Sequence, residues 1–402
     1  MTFISAIIII GAVALVLWFG FLAVLAAVST WVRLKSRNNP SEGIHRIAVI
    51  IPAHNEEGMV GKTVLSARAS HYPPDLFKVF VIADNCDDST AGEAEATGAR
   101  CIVRTDTKNR NKGHALCFGL DVIGRTEEPF DAFVFIDADT LLAPDFLLRM
   151  SMNLSAGHQI IQGRYSVSDA DRTWLTRLTS CGFILKNYFQ YPALNFLGMN
   201  MPLRGSGMCF SHKIMDRYGW GSTDLMEDVD FSMILIRSGE TIYFDFGAVN
   251  WQYMPPTLSP ATSQRTRWST GEALIKKKYF KPFLVRSIQD IDIRFFMQTL
   301  YLFSPSLSSL LLLSVLLTIV SLLESVVYPQ TGLLLTAICL IITMAYASYF
   351  LLALTVTGIT FNYVQALFMI PVYAVWRVYA YMYGTVLAKL NRTDWLILKK
   401  SK

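Results

Sequence analysis

Four short stretches of this 402-residue chain hold side chains that do chemistry. Asp137-Ala-Asp139 follows the apolar run Phe133 to Ile136. Residues two apart on a strand share a side, so both carboxylates address one hard cation. A divalent ion there neutralises a departing diphosphate and removes the need for an acid to protonate it. Met226-Glu-Asp228 opens a helical pattern that runs to about Arg237, after possible caps in Ser222-Thr223-Asp224. A carboxylate at that helix start is suited to take the proton of an attacking hydroxyl. In Gln264-Arg-Thr-Arg-Trp268, the planar Arg267 grips phosphate oxygens two at a time and the Trp268 indole offers a face to a sugar ring. Lys112-Gly113 precedes the helical pattern from Ala115 to Val122, where a lysine faces a phosphate with the helix dipole in support.

Taken singly, each stretch has a plainer reading. An acidic residue after a strand usually caps a helix or sits in a turn, and an acidic pair at a helix start compensates the dipole. The elements that carry them argue otherwise. Ile47 to Pro52 and Val79 to Ala83 are near-continuous apolar runs, as in strands covered on both faces. Cys101 to Val103 and Phe133 to Ile136 read as two more strands, with helical patterns between. That alternation predicts a doubly wound α/β sheet. Glu56, Asp84, Asp137 and Asp139 each follow a strand, and ligands bind at the carboxyl ends of such strands. The pattern therefore predicts that they converge. Gly205-Ser206-Gly207 adds a stretch where backbone approaches a ligand closely.

About half of the residues are apolar, and they are unevenly spread. Thr2 to Val32 carries no charge and ends in Arg33, Lys35 and Arg37, without the basic start of a cleaved signal. It reads as a span with its N-terminus outside and its basic flank in the cytosol. After Lys276-Lys-Lys278 and Lys281, Phe295 to Leu323 is free of charge, enough for an interfacial piece and one span. Ser325 to Trp376 offers two more segments. Four full spans would put the basic tail outside, so residues 361–390 are expected to be interfacial or re-entrant. The aromatic, basic stretch from Arg164 to Arg204 is expected to hold a helix lying in the membrane interface. The six cysteines show no metal or disulfide spacing and suit a reducing cytosol. A net charge of +5 without a basic-aromatic cluster argues against nucleic acid.

In this order and spacing, Asp84, Asp137-Ala-Asp139, Met226-Glu-Asp228 and Gln264-Arg-Thr-Arg-Trp268 resemble the signature of the processive family-2 glycosyltransferases. Cellulose, hyaluronan, poly-N-acetylglucosamine and chitin-oligosaccharide synthases belong to that group. The resemblance covers roughly residues 46 to 290. It implies an α/β GT-A fold (doubly wound, nucleotide-sugar-binding) facing the cytosol, flanked by N- and C-terminal transmembrane helices. The expected layout is a span at 1–32, the glycosyltransferase domain at 44–285, a membrane region at 295–390 and a basic tail at 391–402. Carried over by position, Glu56 and Asp84 hold the uridine of a UDP-sugar. Lys112, Asp137, Gln264 and Arg267 hold its diphosphate. Asp139 ligates a divalent metal, Mg2+ or Mn2+, and Asp228 is the base. Trp268, Gly205 and Ser206 face the acceptor. Met226 replaces a common Thr, Arg265 fills a variable place, and Gly205-Ser-Gly207 matches the acceptor loop only loosely. The implied activity is inverting transfer to a growing polysaccharide at the plasma or inner membrane, with a single sugar placed on a membrane lipid as the alternative. A non-catalytic scaffold is disfavoured by the complete set of acidic positions. With so few spans to wall a polymer channel, a homo-oligomer or an accessory export subunit is a further expected partner.

Overall fold

A computed structural model describes residues 2–35, 43–126 and 128–390; the basic tail expected at 391–402 lies outside the described residues. Eight strands form one sheet: β1 (Ile47–Ala53), β2 (Phe77–Asp84), β3 (Arg100–Arg104), β4 (Ala132–Phe135), β5 (Thr140–Leu142), β6 (Ile160–Val167), β7 (Met208–Ser211) and β8 (Tyr243–Gln252). The order is β3-β2-β1-β4-β7-β6-β8-β5. The first four are parallel, as the alternating pattern predicts. Their apolar runs supply both covered faces. Ile47, Val49, Ile51, Val79 and Val81 pack on one side, and Ala48, Ile50, Phe80 and Ile82 on the other.

The expectation of a doubly wound sheet is corrected beyond β4. There β7 runs antiparallel to both β4 and β6, and β5 antiparallel to β8, so the sheet is mixed. The second half is built from β5 to β8, none of which stands out as an apolar run in sequence. Short strands such as Met208–Ser211 are specified by their neighbours rather than by their own pattern.

The strand ends line up. Ile50 pairs with Phe80 on one side and Phe135 on the other, and Asp84 pairs with Arg104. The loops carrying Glu56, Asp84 and Asp137 therefore leave the same edge of the sheet. The loop 204–207 enters β7 beside β4 and joins them there; the Gly207 N–H donates to the Phe135 carbonyl at 2.9 Å.

Among the described residues, three helices are long and apolar enough to cross a membrane: Phe3–Lys35, Leu307–Val327 and Pro329–Thr357. The first and the last two pack together, with Ile8, Leu15, Leu317, Ile342 and Tyr346 in one apolar cluster. Residues 361–389 form two helices, Phe361–Phe368 and Ile370–Lys389. Neither is among the helices long and apolar enough to cross a membrane. The helix expected between Arg164 and Arg204 is Trp174–Phe189. Its Cys181, Leu185 and Phe189 join the cluster of the apolar helices, and Leu175 and Leu178 pack against Ala366 and Tyr373.

The Gln264–Trp268 motif lies inside a 32-residue helix, Leu258–Gln289. Helix Ile370–Lys389 presses on it through Gly384. A Cβ there would stand 2.9 Å from the Thr266 carbonyl, the Thr270 nitrogen and the Ser269 Cβ.

Candidate active site

Gly205 marks the centre of the site. Its φ of +32° is a backbone conformation that side chains rarely adopt. An added Cβ would lie 3.4 Å from an Asp137 carboxylate oxygen, 3.6 Å from one of Asp228 and 3.8 Å from the Lys112 ammonium. Three residues separated by up to 116 positions (228 − 112) thus meet around one backbone atom.

Lys112 donates to Asp137 at 2.6 Å and to the Gly205 carbonyl at 2.7 Å, and pairs with Glu227 at 3.2 Å. Its helix, Lys112–Gly124, is capped by Asn111, whose side-chain oxygen accepts from the His114 N–H at 2.8 Å. Asn111 also donates to the Thr223 carbonyl at 2.7 Å. Gly113 lets the two segments touch, since a Cβ there would meet the Ser222 carbonyl at 2.5 Å. That contact sets the helix start carrying Lys112 beside the one carrying Glu227 and Asp228. Burial alone would lower the Lys112 ammonium, but Asp137, Glu227 and Asp228 outweigh it and hold it charged well above its usual range.

Asp228, in the first turn of helix Glu227–Arg237, accepts the Gly205 N–H at 2.5 Å. Burial raises the neighbouring Glu227 carboxyl against the pull of Lys112, and the Asp228 charge raises it further.

Asp137 and Asp139 do face one point, and the residue that joins them is Gln252 at the end of β8. Its amide donates to Asp137 at 3.0 Å and to Asp139 at 2.9 Å. Burial, then the Asp137 charge, push the Asp139 carboxyl up to about 6. Two acids crowded in this way with one neutral amide between them suit a divalent cation. Among the described residues, no group of three or more His, Cys, Asp or Glu is placed to hold a metal. A cation on this pair would take further oxygens from a phosphate-bearing ligand, the usual arrangement for Mg2+.

Ser206 is turned away from the opening. Its hydroxyl accepts the Asp137 N–H at 3.0 Å and donates to Thr140 at 2.8 Å, so it orients the acidic loop. Gln162 fixes the same loop from β6, accepting the Arg204 N–H at 2.8 Å and donating to the Ser206 carbonyl at 2.9 Å. Neither glutamine is part of a recognisable motif; β-strand pairing alone delivers Gln162 and Gln252.

Asp84 and Glu56 sit one strand further along. Asp84 is buried and bound by Arg104 at 2.5 Å, and Arg104 also holds Asp106 at 2.8 Å. Arg104 is the in-register partner of Asp84 across β2 and β3, a relation that the sequence does not display. The Glu56 N–H donates to Thr90 at 2.8 Å, tying the loops after β1 and β2 together.

On helix Leu258–Gln289, about 100° per residue places Gln264, Arg267, Gly271 and Lys278 toward one side. Gly271 abuts Met226, and Lys278 binds Asp224 and Asp230 at 3.0 and 2.8 Å. Trp268 packs with Tyr165, Val167 and Met254. Arg265 lies on the other flank, buried, with its guanidinium 4.5 Å from the centre of the Trp268 ring.

A mixed sheet of this order, with an acidic pair after its fourth strand and the Asp228 carboxylate opposite, is that of a GT-A nucleotide-sugar domain. The chain belongs to the family described as glycosyltransferase like family 2, whose model matches residues 45–271. Among curated proteins it is 28% identical over 282 residues to the probable glycosyltransferase YdaM of Bacillus subtilis, covering 67% of this chain and 65% of that one. It is 24% identical over 197 residues to the beta-monoglucosyldiacylglycerol synthase of a Synechocystis strain, covering 47% and 40%. The chain thus spans between 40% and 65% of the length of these relatives. In three dimensions it resembles the mannosyltransferase PcManGT from Pyrobaculum calidifontis, solved with GDP-Man and Mn2+. The TM-score is 0.55 at 16% identity, over 98% of this chain and 99% of that one.

Proposed function

We propose that this chain is an inverting, metal-dependent glycosyltransferase that moves a sugar from a UDP-sugar to an acceptor at the cytosolic face of the plasma or inner membrane. The observation that carries the reading is the meeting of Lys112, Asp137 and Asp228 at Gly205. A metal ion on Asp139 and Asp137 would neutralise the leaving diphosphate. Lys112 lies where it adds a second positive charge to the same group. Arg267 and Gln264 approach from helix Leu258–Gln289, and Glu56 and Asp84 take the uridine end. Asp228, held by the Gly205 N–H, removes the proton of the attacking hydroxyl, and Trp268 stacks on the acceptor.

The motif order supports a growing polysaccharide as the acceptor, with processive synthesis and extrusion through the apolar helices. A second reading, one sugar placed on a membrane lipid, is favoured by the three candidate spans among the described residues, a thin wall for a polymer path unless a second copy or an export subunit contributes. Purified protein incubated with single radiolabelled UDP-sugars and Mg2+ or Mn2+ separates these. A product retained on size exclusion supports the polymer, and a labelled species extracted by organic solvent supports the lipid. Absence of UDP release with every donor would remove the transferase reading itself.

A further inference from the structure

Lys278 lies on helix Leu258–Gln289, about three turns beyond Arg267 and on the same side. Its ammonium donates to Asp230 at 2.8 Å and to Asp224 at 3.0 Å. The two bonds differ in weight. Asp224 is exposed, and a solvated pair of that kind contributes little. The Asp230 side chain is only 3% exposed, and Lys278 is its ion-pair partner among the described residues. A buried carboxylate stripped of its counter-charge is strongly destabilising. Helix Glu227–Arg237 is therefore held to Lys278 through a residue two positions from Asp228.

The opposite flank of that helix is tied to the loop before β7. The Ser232 hydroxyl donates to the Asp228 carbonyl at 2.7 Å and accepts the Leu203 N–H at 2.8 Å. The Gly205 N–H reaches the Asp228 carboxylate from the same loop. Asp228 and Asp230 point about 200° apart around the helix, so the base meets the loop while Asp230 meets Lys278. Turning or sliding the helix breaks one attachment or the other. The segment just before it is pinned by the same three neighbours: Met226 fills the space left by Gly271, Asp224 binds Lys278, and Thr223 accepts from Asn111, the cap of the Lys112 helix. Lys278 bonds to Asp224 and Asp230 and not to Asp228, so its effect on the base passes through the helix.

We propose that Lys278 is a positioning residue for sugar transfer: by holding Asp230 it fixes the base Asp228 relative to the helix that carries Gln264, Arg267 and Trp268. The proposal rests on the transferase reading with Asp228 as base.

Steady-state UDP release and transfer of radiolabel by the full-length protein test it in a cycle of wild type, Lys278→Met, Asp228→Asn and the double variant. Lys278→Met is expected to lower kcat by about tenfold or more, in the range that small misplacements cost, while the donor KM moves less than about threefold. In the Asp228→Asn background the same change should lower kcat by less than about twofold, because a residue that acts through the base has nothing left to position. Lys278→Arg, which keeps the charge, should retain most of the rate. Bound UDP, measured by calorimetry, reports that each variant is folded. The pair Lys278→Met with Asp230→Leu removes both charges, so no buried carboxylate is stranded, and it should show the same loss in kcat. Lys278→Met with a kcat within about twofold of wild type, or with equal losses in both backgrounds, would overturn the proposal. So would a rise in donor KM that matches the fall in kcat, which would make Lys278 a donor-binding residue. Absence of UDP release by the wild type with every donor removes the transferase reading and this proposal with it, whereas release indifferent to Lys278 removes the proposal alone.

Discussion

The Gly205 N–H donates to the Asp228 carboxylate at 2.5 Å, and this one bond ties the proposed base to the loop that faces the acidic pair. Its geometry depends on a backbone with φ of +32° that a Cβ would strain while reaching 3.4 Å from Asp137. Gly205→Ala is therefore expected to lower kcat by about 10- to 100-fold, in the range that small misplacements cost. The donor KM should move less than threefold if the uridine end is undisturbed. Steady-state kinetics of UDP release check this, and a kcat within twofold of wild type would remove the loop from the positioning of Asp228.

Asp228→Asn keeps the size of the side chain and the acceptor for the Gly205 N–H but cannot take a proton. Transfer should fall by roughly 10²- to 10⁴-fold, as for loss of a general base, with UDP binding retained by calorimetry. Equal losses of binding and transfer would instead make Asp228 a donor ligand.

The Asp139 carboxyl, lifted to about 6 by burial and by Asp137, binds a proton more tightly folded than unfolded. The folded state then holds more protons between its unfolded value near 3.8 and about 6. Stability from this group is present at low pH and is lost as pH rises through that window. In chelator-treated protein the melting temperature should fall between pH 5 and 7 on this account, and Asp139→Asn should flatten that slope. Mn2+ or Mg2+ should restore the melting temperature at pH 7 more than at pH 5, where the proton competes. Thermal scans at both pH values, with and without ion, decide it.

Arg104→Met leaves the buried Asp84 carboxylate without its partner at 2.5 Å. Breaking a buried pair from one side costs about 3–5 kcal/mol, so a clear drop in denaturant midpoint is expected. The double variant Arg104→Met with Asp84→Leu should recover part of it. If Asp84 holds uridine, Asp84→Asn should raise the donor KM with little change in kcat.

Gly384→Val tests the helix behind the Gln264–Trp268 motif. With the Thr266 carbonyl only 2.9 Å from an added Cβ, helix Ile370–Lys389 has to move away. Transfer should drop by about tenfold or more while the sheet and UDP binding persist, because Trp268 and Arg265 lose their backing. Unchanged transfer would show that the C-terminal helices do not set the motif.

Much of the site was legible because acidic residues after apolar strands are a local pattern. Asp137, Asp139 and Asp228 could be named from their neighbours, and parallel strands bring their ends to one edge whatever lies between. Gln162, Gln252 and Arg104 could not. Each reaches the site by strand register, and glutamine or arginine in a strand carries no mark of the partner that β-pairing will give it. The mixed half of the sheet was hidden for the same reason, since β5 and β7 are too short to announce themselves.

The sequence by itself determined the parallel half of the sheet, the apolar helices and the identity of the acidic residues, all of which follow from hydrophobic period and local residue type. Only the tertiary structure decided how Gln264–Trp268 is used. A helix turns about 100° per residue, so two arginines two positions apart in one motif part company. Arg267 stays on the flank shared with Gly271 and Lys278, while Arg265 turns to the Trp268 ring. That division depends on which helices press on Leu258–Gln289 and where, and packing between remote segments is written in no single stretch of the chain.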